Sequence, residues 1–166
     1  ALAQDVEQKS KQQIRKEKKQ LKKAMKKLQK QVLESPELLE AVKRDNDLEQ
    51  RFYSGLLKSN CRVTSQPDWG DVFIHIKSKN AVDAHSILKY IVSFRDECHF
   101  HEEICECIYK RLQDAFEPSE LLVMCLYARR GGIDINPVRA SSNDLIERFA
   151  KPLVDPGMIH IKTSKQ

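Results

Sequence analysis

The stretch Leu121-Leu-Val-Met-Cys-Leu-Tyr-Ala-Arg129-Arg130-Gly131-Gly132-Ile133-Asp134-Ile135 decides the fold. Leu121 to Arg129 is an apolar run long enough for a central strand. Gly131-Gly132 is the composition of a tight hairpin turn, and Ile133 and Ile135 begin a returning strand that Pro137 stops. Working back along the chain, His101 to Phe116 predicts a helix that buries Ile104, Ile108 and Leu112 and ends before Pro118. Before it, Ile87, Leu88, Ile91 and Phe94 fall at helical steps between Val82 and Phe94, and Ser78-Lys79-Asn80 reads as a turn. Val72, Ile74 and Ile76 alternate with Phe73, His75 and Lys77, the period of a strand. Strand, two helices, then two strands make an α+β domain with an antiparallel sheet.

Outward from this body, the N-terminal boundary is placed near residue 54 and the C-terminal one after residue 140. Residues 55–140 form the module, 1–54 a Lys-rich helical arm and 141–166 a weakly anchored polar tail, in which Met158, Ile159 and Ile161 can add an edge strand. Residues 1–33 hold no Gly or Pro, and Ile14, Leu21, Met25, Leu28 and Val32 line one helical stripe. Ser35-Pro36-Glu37 reads as a helix stop and restart, with Leu38, Leu39, Val42 and Leu48 on a second amphipathic helix until Gly55 interrupts the pattern.

Charge divides the same way. Eleven Lys and Arg against three acids put residues 1–31 at +8; with a total of +5, the remainder carries −3. The arm therefore either packs its stripe on the body or a partner helix, or binds RNA or DNA phosphates through residues 1–31. A membrane-surface role is disfavoured by the thin apolar face without aromatics. No run of eighteen apolar residues and no signal-peptide pattern is present, so no membrane association is expected. The five cysteines at 61, 98, 105, 107 and 125 show no repeated paired spacing, which predicts reduced thiols and a cytoplasmic protein.

Three constellations can carry chemistry. Cys61-Arg-Val-Thr-Ser-Gln-Pro-Asp68 holds a thiol and a carboxyl on either side of turn-forming residues, so both can fold back on one pocket. The plain alternative is a half-buried Cys beside a turn Asp. In Cys98-His-Phe-His-Glu-Glu-Ile-Cys-Glu-Cys107, Cys98, His101 and Cys105 stand at helical steps that can bind zinc. No second CxxC or HxxxH supports a closed site, and no metal is expected. In the same stretch Glu102 can accept paired hydrogen bonds from a guanine-like base edge, Phe100 offers a ring for a flat base, and His101 can orient substrate or pass protons. Arg129 and Arg130 at the hairpin tip either grip a phosphate or solvate the turn.

Taken together, these pieces form a resemblance. Leu56-Leu57-Lys58-Ser59-Asn60-Cys61, Thr64-Ser65-Gln66-Pro67-Asp68-Trp69-Gly70, Tyr90-Ile91-Val92-Ser93-Phe94-Arg95, Phe100-His101-Glu102 and Arg129 to Pro137 appear in order. The chain resembles the 7-cyano-7-deazaguanine reductase family of the queuosine pathway, most closely the C-terminal half of its two-module form, over about residues 55–140. The resemblance implies a tunnelling fold, an antiparallel sheet with two helices on one face, whose modules join as a homo-oligomer or with a second module to complete sites at their interfaces. It implies that Cys61 attacks the nitrile carbon to form a thioimide, that Asp68 exchanges protons, that His101 sits beside the reacting carbon, and that Glu102 holds the deazaguanine edge. NADPH is the implied cofactor, with Arg129 and Arg130 near its phosphates. Two readings compete with it: non-reductive amidino transfer on deazaguanine-modified tRNA, and a non-catalytic binding or assembly module. The family's cofactor motif Glu-Ser-Lys-Ser-Leu-Lys falls at Asp83-Ala84-His85-Ser86-Ile87-Leu88, where both lysines are missing.

Overall fold

A twisted five-stranded sheet carries the chain. The structure is a computed structural model that describes residues 35–154; the Lys-rich stripe of residues 1–33 and the edge strand of Met158, Ile159 and Ile161 lie outside the described residues. Strands β1 (Ala41–Cys61), β2 (Pro67–Val82), β3 (Cys98–His99), β4 (Glu120–Tyr127) and β5 (Val138–Ala140) lie in the order β3-β1-β2-β4-β5. All neighbours are antiparallel except β3, which follows the helical crossover Ala84–Ser93 and so runs parallel to the end of β1, making the sheet mixed instead of antiparallel throughout as the sequence predicts.

The β-strand period sorts the side chains. Leu57, Val72, Ile74, Ile76, Leu121, Val123, Cys125 and Tyr127 line one face, where α1 (Ala84–Ser93) and α2 (His101–Phe116) cover them with Ile87, Tyr90, Ile91, Ile104, Ile108, Leu112 and Phe116. Each such buried aliphatic chain contributes about 1.5–3 kcal/mol, which holds the two helices on one face as expected. Asp83 starts α1 by accepting the Ser86 N–H on Oδ2 at 2.7 Å. At the start of α2 the Glu103 carboxylate accepts the Phe100 N–H at 2.9 Å.

Four further expectations need correction. The second amphipathic helix over Leu38–Leu48 is absent: Pro36–Leu38 is a single 3-10 turn, and the chain then enters the long strand β1. Its first ten residues are almost wholly exposed, so no apolar alternation marks them; pairing with β2 makes the strand, a tertiary choice that local periodicity does not register. Ser78-Lys79-Asn80 is part of β2 rather than a turn. Ser78 Oγ and Asn80 Nδ2 both donate to the Phe116 carbonyl, at 2.6 and 3.1 Å, and so close the end of α2. The returning strand follows Pro137 instead of ending there, because proline offers only its carbonyl, which accepts from Cys125 N–H at 3.0 Å before the ladder starts at Val138. The C-terminal segment is anchored: α3 (Asn143–Leu145), a π turn (Ile146–Ala150) and α4 (Lys151–Val154) lay Leu145, Phe149 and Ala150 over Leu122, Met124 and Leu126 on the second face. Among the described residues, no helix is long and apolar enough to cross a membrane.

Candidate active site at the β1–β2 hairpin

β1 ends on Cys61 and β2 begins on Pro67, so the thiol and the carboxyl flank a hairpin. Cys61 N–H donates to Gln66 O at 2.8 Å, Ser65 N–H donates to Cys61 O at 2.9 Å, and Ser65 takes a left-handed φ of 58°. Asp68 is the register partner of Ser59. Alternation therefore puts Ser59, Cys61 and Asp68 on the same, helix-covered face, with Cys61 and Asp68 as diagonal neighbours at a backbone spacing of roughly 7–8 Å. The short strand β3 completes the arrangement. Cys61 pairs with His99, and Asn60 N–H donates to Glu97 O at 2.7 Å, which brings the first residues of α2 beside the thiol.

Asp68 is buried. Arg130 Nε lies 2.7 Å from its Oδ1, and His101 Nε2 approaches the same oxygen at 3.2 Å. The imidazole contact falls outside hydrogen-bond geometry, so the buried His101 Nε2 has no hydrogen-bond partner among the described residues. The ring sits 4.1 Å from that of Tyr127, tilted by 50°. Tyr127 fits there because its β-sheet neighbour is Gly70: a Cβ at that position would come within 3.0 Å of the tyrosine ring. The Tyr127 and Ser59 hydroxyls are buried and also lack hydrogen-bond partners among the described residues. Burial, and after it the neighbouring Cys125, Cys105, Asp68 and Glu102, push the Tyr127 phenol well above its ordinary range.

The Cys61 thiol is held below its ordinary value. The Thr64 hydroxyl is the largest cause, followed by the Thr64 and Val63 backbone amides; burial opposes them and the Arg130 guanidinium adds to them. A thiol so placed is more thiolate at neutral pH, the nucleophilic form.

Asp68 and His101 thus meet, with Cys61 a diagonal register neighbour of Asp68, while the other expected residues divide. Glu102 is exposed on the first turn of α2. Phe100 is exposed just before it, with the Arg62 guanidinium 5.3 Å from its ring centroid. Arg129 turns away and clasps Asp134 through two contacts of 2.5 and 2.7 Å. Arg130 holds Asp68. Cys98 is exposed on β3 whereas Cys105 is buried against the Val123 and Pro137 carbonyls, and no group of three potential ligands is placed to hold a metal among the described residues. A cavity of about 270 Å³ opens on the opposite face between Tyr53, Phe73, His75, Met124 and Phe149; no cysteine lines it and it does not border Cys61.

Sequence reasoning assigns no role to Thr64 or Tyr127. Thr64 stands in the hairpin motif as a turn residue, and Tyr127 is hidden in an apolar run. Nor does anything in the sequence pair Arg130 with Asp68, since 62 positions separate them.

Residues 67–145 match the family described as "QueF-like protein". A protein of Psychrobacter cryohalolentis named "NADPH-dependent 7-cyano-7-deazaguanine reductase" is 52% identical over 95 residues, 57% of this chain and 33% of its own length. Proteins of the same name are 45% identical over 109 residues in Colwellia psychrerythraea (64% of this chain, 38% of theirs) and 47% over 104 in Acinetobacter baumannii (63% and 38%). The chain therefore spans about a third of the length of the curated relatives it matches. Among solved structures, the apo form of the archaeosine synthase QueF-Like superposes with a TM-score of 0.51 at 19% identity, over 60% of this chain and 96% of that one, a likeness of fold.

Proposed function

From the match of residues 67–145 to the family described as "QueF-like protein", we propose that the chain belongs to that family and supplies the nucleophile-bearing module of an NADPH-dependent reductase. The substrate is the nitrile 7-cyano-7-deazaguanine, the product its 7-aminomethyl counterpart, and the context queuosine biosynthesis. The observation that carries this reading is the contact of His101 with Asp68 on the strand beside Cys61, at one end of the helix-covered face.

A nitrile is a poor hydride acceptor. Addition of the Cys61 thiolate to its carbon forms a C–S bond and turns the triple bond into a C=N thioimide, whose nitrogen takes a proton. Asp68, its carboxylate facing Arg130 and His101, takes the Cys61 thiol proton and passes it to that nitrogen, and the His101 Nε2 beside it orients the substrate or relays the proton. Glu102, exposed on the adjoining turn, accepts the two N–H groups of the deazaguanine edge. Two NADPH would each supply one hydride when bound, the four electrons that take the nitrile carbon to the aminomethyl level and release the Cys61 sulfur as the C–S bond breaks. The cofactor's phosphates find no cradle among the described residues expected to hold them: Arg129 is engaged by Asp134, Arg130 by Asp68, and Asp83–Leu88 form the capped start of α1 without a lysine. The cofactor therefore belongs to a second module or subunit. Loss of NADPH absorbance on adding the nitrile base, abolished in Cys61→Ala, is the expected result. No loss at any protein concentration, with the completing module supplied, contradicts the proposal.

The same missing cradle favours a second reading, addition of an amine to a tRNA-borne nitrile through the same thioimide. Amine incorporation into deazaguanine-modified tRNA without NADPH would decide for it.

A further inference from the structure

We propose that Thr64 and Arg130 are positioning residues for the Cys61 thiol: the hairpin turn wraps hydrogen-bond donors round the sulfur, and Arg130 clamps that turn to Asp68. The inference rests on the reading of Cys61 as nucleophile and adds what prepares it. One guanidinium touches three points of the hairpin. Its Nε lies 2.7 Å from Asp68 Oδ1, its Nη1 donates to Thr64 Oγ1 at 3.4 Å, and its Nη2 donates to Gln66 O at 3.4 Å. The Gln66 N–H also donates to Thr64 Oγ1, at 3.4 Å. With both acceptor positions of that oxygen engaged, its own proton is left to donate. The Cys61 thiol lies on the same turn, closed by the Cys61 N–H to Gln66 O and Ser65 N–H to Cys61 O bonds, and is the group whose pKa the hydroxyl lowers. The Val63 and Thr64 backbone amides of the same turn shift the thiol in the same direction.

Arg130 owes its place to the turn after it. Gly131 and Gly132 take φ of 56° and 80°, and nothing lies within 4 Å of a Cβ at either, so backbone conformation, not crowding, calls for glycine there. The two backbone bonds between Arg130 and Ile133 close this turn and fix the arginine at its base. Other charged groups stand round the thiol: His99 on β3, Arg62 on the hairpin, Asp68 on β2, and His101 and Glu103 on α2. Arg62 is tied to Glu103 at 2.9 Å, His99 to Glu97 and Glu103, and Arg130 to Asp68 at 2.7 Å, and of these cations Arg130 is the one that lowers the thiol pKa, a smaller cause than Thr64.

The full chain is labelled with iodoacetamide from about pH 5 to about pH 9, and occupancy of each cysteine is read by peptide mass spectrometry. Thr64→Val and Arg130→Gln are expected to raise the pH of half-maximal Cys61 labelling by about one unit, roughly a tenfold slower reaction below it. Thr64→Ser, which keeps the hydroxyl, restores the original profile. The buried Cys105 and Cys125 report folding by staying unlabelled. Should Arg130→Gln expose them, the comparison of Thr64→Val with Thr64→Ser decides. Thr64→Val labelling with the unchanged profile overturns the inference. Addition of the nitrile base to the unaltered chain is scored separately. No covalent adduct together with the shifted profiles overturns the reductase reading and keeps the positioning role of Thr64 and Arg130; an adduct with unshifted profiles does the reverse.

Discussion

Tyr127 is the residue whose burial is hardest to justify by folding alone. Its ring is fully buried, and its hydroxyl meets no hydrogen-bond partner among the described residues. A buried hydroxyl left unpaired costs about 1–3 kcal/mol, so Tyr127→Phe is expected to leave the urea midpoint unchanged or to raise it. If the hydroxyl instead serves a bound base beside His101, the same variant weakens ligand binding while keeping the fold. A stability loss above about 1 kcal/mol would show that the hydroxyl has a structural partner. His101 is the counterpart that the sequence does reveal: its placement after Phe100 at a helix start is legible, because the helical period of α2 begins there. Its alignment against Asp68 is not, since a contact across 33 positions depends on the parallel pairing of β3 with β1.

Elements decide how firmly those residues are held. Gly70 lets β2 and β4 approach beneath Tyr127, so Gly70→Ala is expected to cost about 1–3 kcal/mol by overpacking, measured by urea denaturation. An unchanged midpoint would mean that the Tyr127 ring has room to move. At the start of α2, burial opposes ionisation of Glu103, but the Phe100 N–H and the charges of Arg62 and His99 outweigh it and hold its carboxyl below the ordinary value of 4.5. A carboxylate depressed in the folded state contributes stability above its unfolded pKa and loses it as pH falls through the lower folded value. Glu103→Gln should therefore cost about 0.5–1 kcal/mol at neutral pH, with the difference from the unaltered chain closing in acid; a pH-independent difference contradicts this. The two helices and β4 are readable because each buries one face at a fixed period. β1 escapes such a reading because its outer half buries almost nothing, and the anchoring of the C-terminal segment escapes it because only Leu145 and Ala150 are buried in a polar stretch.

At the scale of the molecule, the chain spans about a third of the relatives named as reductases, and Arg129 and Arg130 are committed to Asp134 and Asp68. Both facts support the proposal that the module is one part of a larger site. The basic residues 1–31 are proposed to hold tRNA phosphates. Deleting them is expected to flatten the dependence of tRNA affinity on salt by about 0.7–0.9 for each phosphate no longer neutralised, while the urea midpoint of the remaining chain stays the same. An unchanged slope assigns the arm to protein contacts instead. The α+β class and the thiol–carboxyl pair are legible in the sequence, whereas the face that unites them emerges only from the register of β1 on β2.

The most direct test is intact-mass and peptide mass spectrometry after mixing the chain with 7-cyano-7-deazaguanine. The expected result is one covalent adduct of the nitrile base on Cys61, absent in Cys61→Ala and kept when Cys98 or Cys107 is replaced. An adduct on another cysteine, or none when the completing module is present, contradicts the assignment of Cys61 as the nucleophile.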